Sequence, residues 1–106
     1  MILVYITCKD KSEAKKIGES LMAKRLCACI NILPNTKALA FWPPKSGKIE
    51  ISNEAILLVK TIEKKYKEIE KEVLRIHSYE LPCIFSLKVD CVYGKYKKWL
   101  KGEIDK

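Results

Sequence analysis

The sequence predicts one α+β domain in which strands and helices follow as β-α-β-β-α-β with a helical tail. Three observations lead there. A short β-branched run opens the chain at residues 2–7. Two stretches carry apolar residues at helical spacing, one ahead of residue 24 and one from 62 to 76. Between and after them lie further runs with strand character, separated by turn residues. With 106 residues, 48% of them hydrophobic, the chain is long enough for a single core, so residues 1–106 are taken as one domain.

The elements are justified in order. Residues 2–7 are apolar at Ile2, Val4 and Ile6 and also at Leu3 and Tyr5, so both faces of the first strand need cover. Asp10 can cap a helix, with Glu13 three residues later, and Ala14, Ile17, Leu21 and Met22 follow at helical spacing to about Lys24. Residues 27–33 return to strand, with Ala28, Ile30 and Ile32 on one side and Cys27, Cys29, Asn31 and Leu33 on the other. Pro34 and Asn35 imply a bulge or bend before the strand resumes at 38–42. The turn-rich residues 43–47 close a hairpin into 49–52 and then 55–60, which is again apolar on both faces.

Thr61 is expected to cap the second helix, whose Ile62, Tyr66, Ile69, Val73 and Ile76 recur at intervals of four and three. A connection from His77 to Pro82 follows. Phe85, Leu87 and Val89 then alternate with Ser86, Lys88 and Asp90 as a half-buried strand. Residues 94–100 form a terminal helix with Tyr96, Trp99 and Leu100 on one face. This order is the split-βαβ, ferredoxin-like arrangement. Two helices cover only one face of a four-stranded sheet, so the apolar opposite face predicts self-association.

The net charge of +8 is not a nucleic-acid signal. Only Arg25 and Arg75 among 21 basic residues are arginine, and much of the lysine alternates with glutamate, as a solvated helical face does. RNA binding on the sheet needs exposed aromatics in its strands; the third strand, from Lys48 to Lys60, has none, and Tyr5 stands alone. No apolar run approaches the length of a membrane span, and the opening residues lack the basic flank of a signal peptide. Cys8, Cys27, Cys29, Cys83 and Cys91 form no CxxC pair and an odd count, which suits a reducing cytoplasm better than a disulfide framework. Glutamine is absent while lysine and glutamate abound, a composition associated with thermostable proteins.

Chemistry is expected in residues 76–82, Ile-His-Ser-Tyr-Glu-Leu-Pro. The stretch holds the single histidine, His77, where the second helix should end. It resembles the His-Pro-Tyr-x-x-Pro signature of the CutA divalent-cation-tolerance family, with Ser78 in place of the usual proline. The resemblance extends over nearly the whole chain: Thr7 and Asp10, residues 26–31 (Leu-Cys-Ala-Cys-Ile-Asn), Trp42, residues 47–50 (Gly-Lys-Ile-Glu), Glu54, residues 58–61 (Leu-Val-Lys-Thr) and residues 96–100 (Tyr-Lys-Lys-Trp-Leu).

Membership implies a homotrimer shaped like the PII signalling proteins, with the long second and third strands pairing across subunits. It also implies an association with divalent-metal tolerance and copper binding, and no established catalytic reaction. Where copper-binding relatives carry a cysteine in the first strand and a second histidine, this chain has Ile6 and Ile76; residues 43–45 look like an insertion. His77 carries over, and Cys8, two residues beyond Ile6, shares its face by strand alternation. His77 and Cys8 are therefore the expected ligands of copper or another divalent metal ion. Asn31, Glu54, Lys60, Tyr79 and Trp99 are expected along an intersubunit crevice. The function expected is a non-enzymatic, homotrimeric cation-tolerance protein; the alternative is a PII-like scaffold binding a small ligand or a partner protein.

Overall fold

The computed structural model describes residues 1–105, which run β1 (Ile2–Cys8), α1 (Lys11–Ala23), β2 (Cys29–Phe41), β3 (Ile49–Thr61), α2 (Tyr66–Ile76), β4 (Ile84–Lys88) and α3 (Gly94–Ile104). The four strands form one antiparallel sheet in the order β2-β3-β1-β4. The α+β, ferredoxin-like order expected from the sequence is the order observed.

Strand alternation decides what lies on each face. Ile2, Val4, Ile6 and Cys8 of β1 and Ala55, Leu57, Val59 and Thr61 of β3 are buried on one face. Ala14, Ile17 and Leu21 of α1 and Ile69 and Val73 of α2 pack onto it. Gly18 lets α1 come close: a Cβ there would collide with Ile30 Cδ1. The other face carries Leu3 and Tyr5 between Leu58 and Lys60 on one side and Phe85 and Leu87 on the other. Phe85, Leu87 and Leu33 remain exposed there, and Tyr5 stacks on Phe85 with ring centroids 4.8 Å apart. Tyr5 thus has an aromatic partner, which the period-two pattern of residues 85–89 does not reveal. The apolar side of β4 is turned away from α1 and α2.

β2 and β3, 13 residues each, outrun the sheet as a two-stranded arm. The register shifts between Leu33 and Thr36, where Pro34 lacks an N–H and Asn35 sits at φ 57°, so the bulge expected at this dipeptide is present. Beyond it Leu39 faces Ile51 and Phe41 faces Ile49, and all four are exposed. Gly47, at φ 74°, helps turn the hairpin.

Three local expectations are corrected. Thr61 does not cap α2; it ends β3, fully buried, and its hydroxyl donates to the Leu26 carbonyl at 2.6 Å. A 3₁₀ turn, Glu63–Lys65, intervenes before α2, and Ile62 packs with Met1 and Tyr96 against Ala28, Leu100 and Ile104 in a second small core under α3. Cys27 and Cys29 do not share an environment: β2 begins only at Cys29, so Cys27 enters the main core while Cys29 is partly exposed opposite Lys60. Met22, expected on the buried stripe of α1, is exposed.

A buried carboxylate joins the two covering helices. Glu72 of α2, 5% exposed, accepts from Ser20 of α1, from Lys24 at the C-cap of α1 and from Arg75 one turn along its own helix. These partners hold its carboxyl well below the usual carboxylate range. A carboxyl whose pKa is depressed in the folded state contributes its full stabilisation above the unfolded value, about 4.5, and loses it progressively as pH falls from there through the folded value. Denaturation from pH 7 to pH 2 should show stability falling from about pH 4.5 downward, and the Glu72→Gln variant should lose less across that interval than the parent. The Thr61→Val change keeps the volume but leaves the Leu26 carbonyl without that donor. It should cost about 1–3 kcal/mol in urea denaturation with an unchanged m-value.

Candidate metal centre

The candidate site lies where β1 runs into α1 and where α2 hands over to β4. Asp10 is the N-cap of α1, extended in backbone, and its side chain accepts the Glu13 N–H at 2.8 Å. Glu13 reaches back past the cap to accept the Lys9 N–H at 3.0 Å, and accepts the Ser78 N–H at 2.9 Å from the connection after α2. His77 is the C-cap of α2, already extended, with its N–H on the Val73 carbonyl. The ends of two helices therefore converge beside the last residue of β1.

Cys8, Glu13 and His77 meet there. A sulfur, a carboxylate oxygen and a ring nitrogen, one from each, lie within 4.8 Å of one another. Cys8 and Glu13 are buried, and the His77 side chain is fully so. His77 Nδ1 stands 4.0 Å from Glu13 Oε1 and accepts the Tyr79 N–H at 3.0 Å, while Nε2 lies 2.7 Å from the Thr7 carbonyl. A carbonyl only accepts and an amide N–H only donates, so the ring is the neutral tautomer protonated at Nε2.

Burial pushes the Cys8 thiol up to about 12, assisted by the Glu13, Glu54 and Asp10 carboxylates. Burial also raises Glu13, but hydrogen bonds from Ser78 and Lys9 outweigh it and hold the carboxyl below its ordinary value. Burial thus keeps Cys8 a thiol, while hydrogen bonds from amide donors keep Glu13 a carboxylate. A tetrahedral ion of zinc size holds such ligand atoms about 3.4–3.6 Å apart. The donor types fit a borderline-soft divalent cation. Binding one requires the thiol proton to leave, the three groups to close by about an ångström, and the Tyr79 N–H to release Nδ1.

The two ligands expected from the sequence, His77 and Cys8, are brought together. Cys8 shares the buried face of Ile6, as alternation implies. Glu13 is the member of the cluster that sequence reasoning missed. Its signal was present, three residues after an Asp cap, but that spacing reads as helix initiation alone.

The five crevice residues fall into separate places within the chain. Glu54 of β3 accepts the Tyr79 hydroxyl at 2.5 Å, and the Tyr79 ring is tilted over His77 with centroids 5.0 Å apart. Burial and the Glu54 carboxylate raise the Tyr79 phenol above its ordinary range. Lys60 lies six residues further along β3, roughly 20 Å away, with its ammonium 5.7 Å from the centre of the Tyr96 ring, which in turn packs on Trp99. Asn31, opposite Leu58, is exposed on the open face of the sheet.

Comparison with known proteins agrees with this architecture. Residues 2–103 match the family described as CutA1 divalent ion tolerance protein. The divalent-cation tolerance protein CutA of Thermotoga maritima is 38% identical over 104 residues, covering 98% of this chain and 99% of its own. That of Pyrococcus horikoshii is 36% identical over the full length of both chains. The structure of the periplasmic divalent cation tolerance protein CutA from Archaeoglobus fulgidus superposes with a TM-score of 0.91 at 34% identity, covering 98% of this chain and 99% of that one. The structure of CutA from Xylella fastidiosa gives 0.91 at 32% identity, over 98% and 97% of the two chains. The chain belongs to the CutA1 divalent ion tolerance family.

Proposed function

We propose that this chain is a cytoplasmic, non-enzymatic, homotrimeric protein that binds copper or another divalent cation through Cys8, Glu13 and His77. The convergence of these three side chains carries the reading: a thiol, a carboxylate and an imidazole lie within 4.8 Å in a buried niche where two helix ends meet. The Cys8 thiol, held up to about 12, is a weak nucleophile near neutral pH and becomes a ligand only as an entering cation displaces its proton. Five free cysteines favour a reducing compartment.

Assembly is supported by two apolar surfaces of one chain. The open sheet face exposes Leu33, Phe85 and Leu87, and the β2–β3 arm exposes Leu39, Phe41, Ile49 and Ile51. Three copies that trade arms would bury both surfaces, and the crevice between them would run past Glu54 and Tyr79 at one end of β3 and Lys60 and Trp99 at the other.

A second reading is favoured by one observation. Both imidazole nitrogens of His77 are already hydrogen bonded, so the cluster serves equally as a knot that holds together a PII-like scaffold for a small ligand or partner protein. Copper titration of the purified protein, with particle mass measured before and after, separates the two. The metal reading expects a trimer, about one copper per chain, and affinity at least tenfold weaker in His77→Ala, since even residues that only support a ligand cost 10–100-fold. Unchanged affinity in that variant removes His77 from the site. A trimer that takes no copper leaves the scaffold, and a monomer overturns the assembly.

A further inference from the structure

Resting on the metal reading above, we propose that Tyr79 is a latch that holds the Cys8–Glu13–His77 cluster closed and sets how readily a divalent cation enters it. The ring nitrogen that faces Glu13 is Nδ1, 4.0 Å from its carboxylate, and the Tyr79 N–H occupies that nitrogen. Nε2 is turned to the Thr7 carbonyl. A cation held jointly by His77 and Glu13 therefore reaches the imidazole only when the Tyr79 amide moves off.

What keeps the amide there is the far end of the same residue. The Tyr79 hydroxyl donates to Glu54 Oε2 at 2.5 Å, a short charge-assisted bond, and the ring between these anchors leans over the imidazole. Tyr79 lies in a connection without helix or strand between α2 and β4, so it can swing without breaking a ladder or a helical turn. The pair thus ties His77 on one side of the cluster to β3 on the other. Tyr79 acts on the cation through His77 and is a positioning residue, not a ligand.

Glu54 also opens the way in. Together with Asp10, Asn35 and Asn53 it lines a cavity of about 310 Å³ beside the start of α1, walled by Lys9 and Lys11. Glu54 is bonded to the Tyr79 hydroxyl, and Asp10 and Lys9 are hydrogen bonded to Glu13, so this cavity adjoins the cluster. A cation entering there competes with the Tyr79 hydroxyl for the Glu54 carboxylate. Drawing that carboxylate away releases the hydroxyl, then the amide, and exposes Nδ1. The closed state lowers apparent affinity by the fraction of molecules that are open, so weakening the latch raises affinity.

Two measurements on the full chain test this: amide hydrogen exchange at position 79 in the metal-free protein, and titration with copper(II) and with zinc(II). Tyr79→Phe removes the hydroxyl and keeps the ring and the amide. Exchange at position 79 should become about tenfold faster or more, and apparent dissociation constants should fall by a similar factor, the range given by one hydrogen bond to a charged group. Glu54→Gln, which retains a neutral acceptor, should move both quantities the same way by less, and reads the same bond if Tyr79→Phe folds poorly. Tyr93→Phe, at a tyrosine 72% exposed, should change neither. Unchanged exchange and affinity in Tyr79→Phe overturn the latch and leave the metal reading intact, and so does weaker cation binding, which would make Tyr79 a support for the bound state. Faster exchange with no cation bound by parent or variant overturns the metal reading, and the proposed gating of the cation with it.

Discussion

The constraint on which the structure depends is that β1 and β3, the two inner strands, are apolar on both faces. One face is satisfied within the chain, because α1 and α2 lay Ile17, Leu21, Ile69 and Val73 onto Val4, Ile6, Leu57 and Val59. The other is not. α3 covers only the end where β1 starts and β3 finishes, burying Leu100 and Ile104 and leaving Phe85 and Leu87 in water. At roughly 25 cal/mol per Å² of apolar surface removed from water, covering such a face is a strong drive toward association. The long arm has the same character: its four exposed apolar side chains, Leu39, Phe41, Ile49 and Ile51, stand in facing pairs with nothing of their own chain over them.

The candidate site follows from the same sheet. β1 carries its last buried residue, Cys8, to the edge of the helix-covered face, and the two covering helices both have an end there. α1 begins beside it and α2 stops beside it, so the Asp10 cap and the His77 cap come together without long-range design of the backbone. Glu13 joins the segments by accepting from Lys9 on one side and Ser78 on the other. The same arrangement that secures the fold also gathers three donor types around one point. A buried thiol and a buried carboxylate are kept in opposite protonation states because the carboxylate accepts from amide donors while the thiol is desolvated among carboxylates.

The sequence by itself determined the element order, the Asp10 cap, the bulge at Pro34–Asn35 and the two-sided character of β1 and β3. These rest on local rules: side-chain period, turn chemistry and the missing N–H of proline act within a few residues of where they are written. It also placed His77 at a helix end and Cys8 on the face of Ile6. What only the tertiary structure decided is which distant groups became partners. Thr61 looks like a helix cap in sequence and is a buried strand residue because the Leu26 carbonyl, 35 positions away, needs its hydroxyl. Glu13 looks like half of a capping box and joins the cluster because α2 ends where α1 begins. Tyr5 became tied to Phe85 through the pairing of β1 with β4, and Tyr79, in the connection that precedes β4, became tied to Glu54 of β3. Periodicity is a property of neighbours along the chain; hydrogen bonds and stacking across a sheet depend on register and packing, which the whole fold must set.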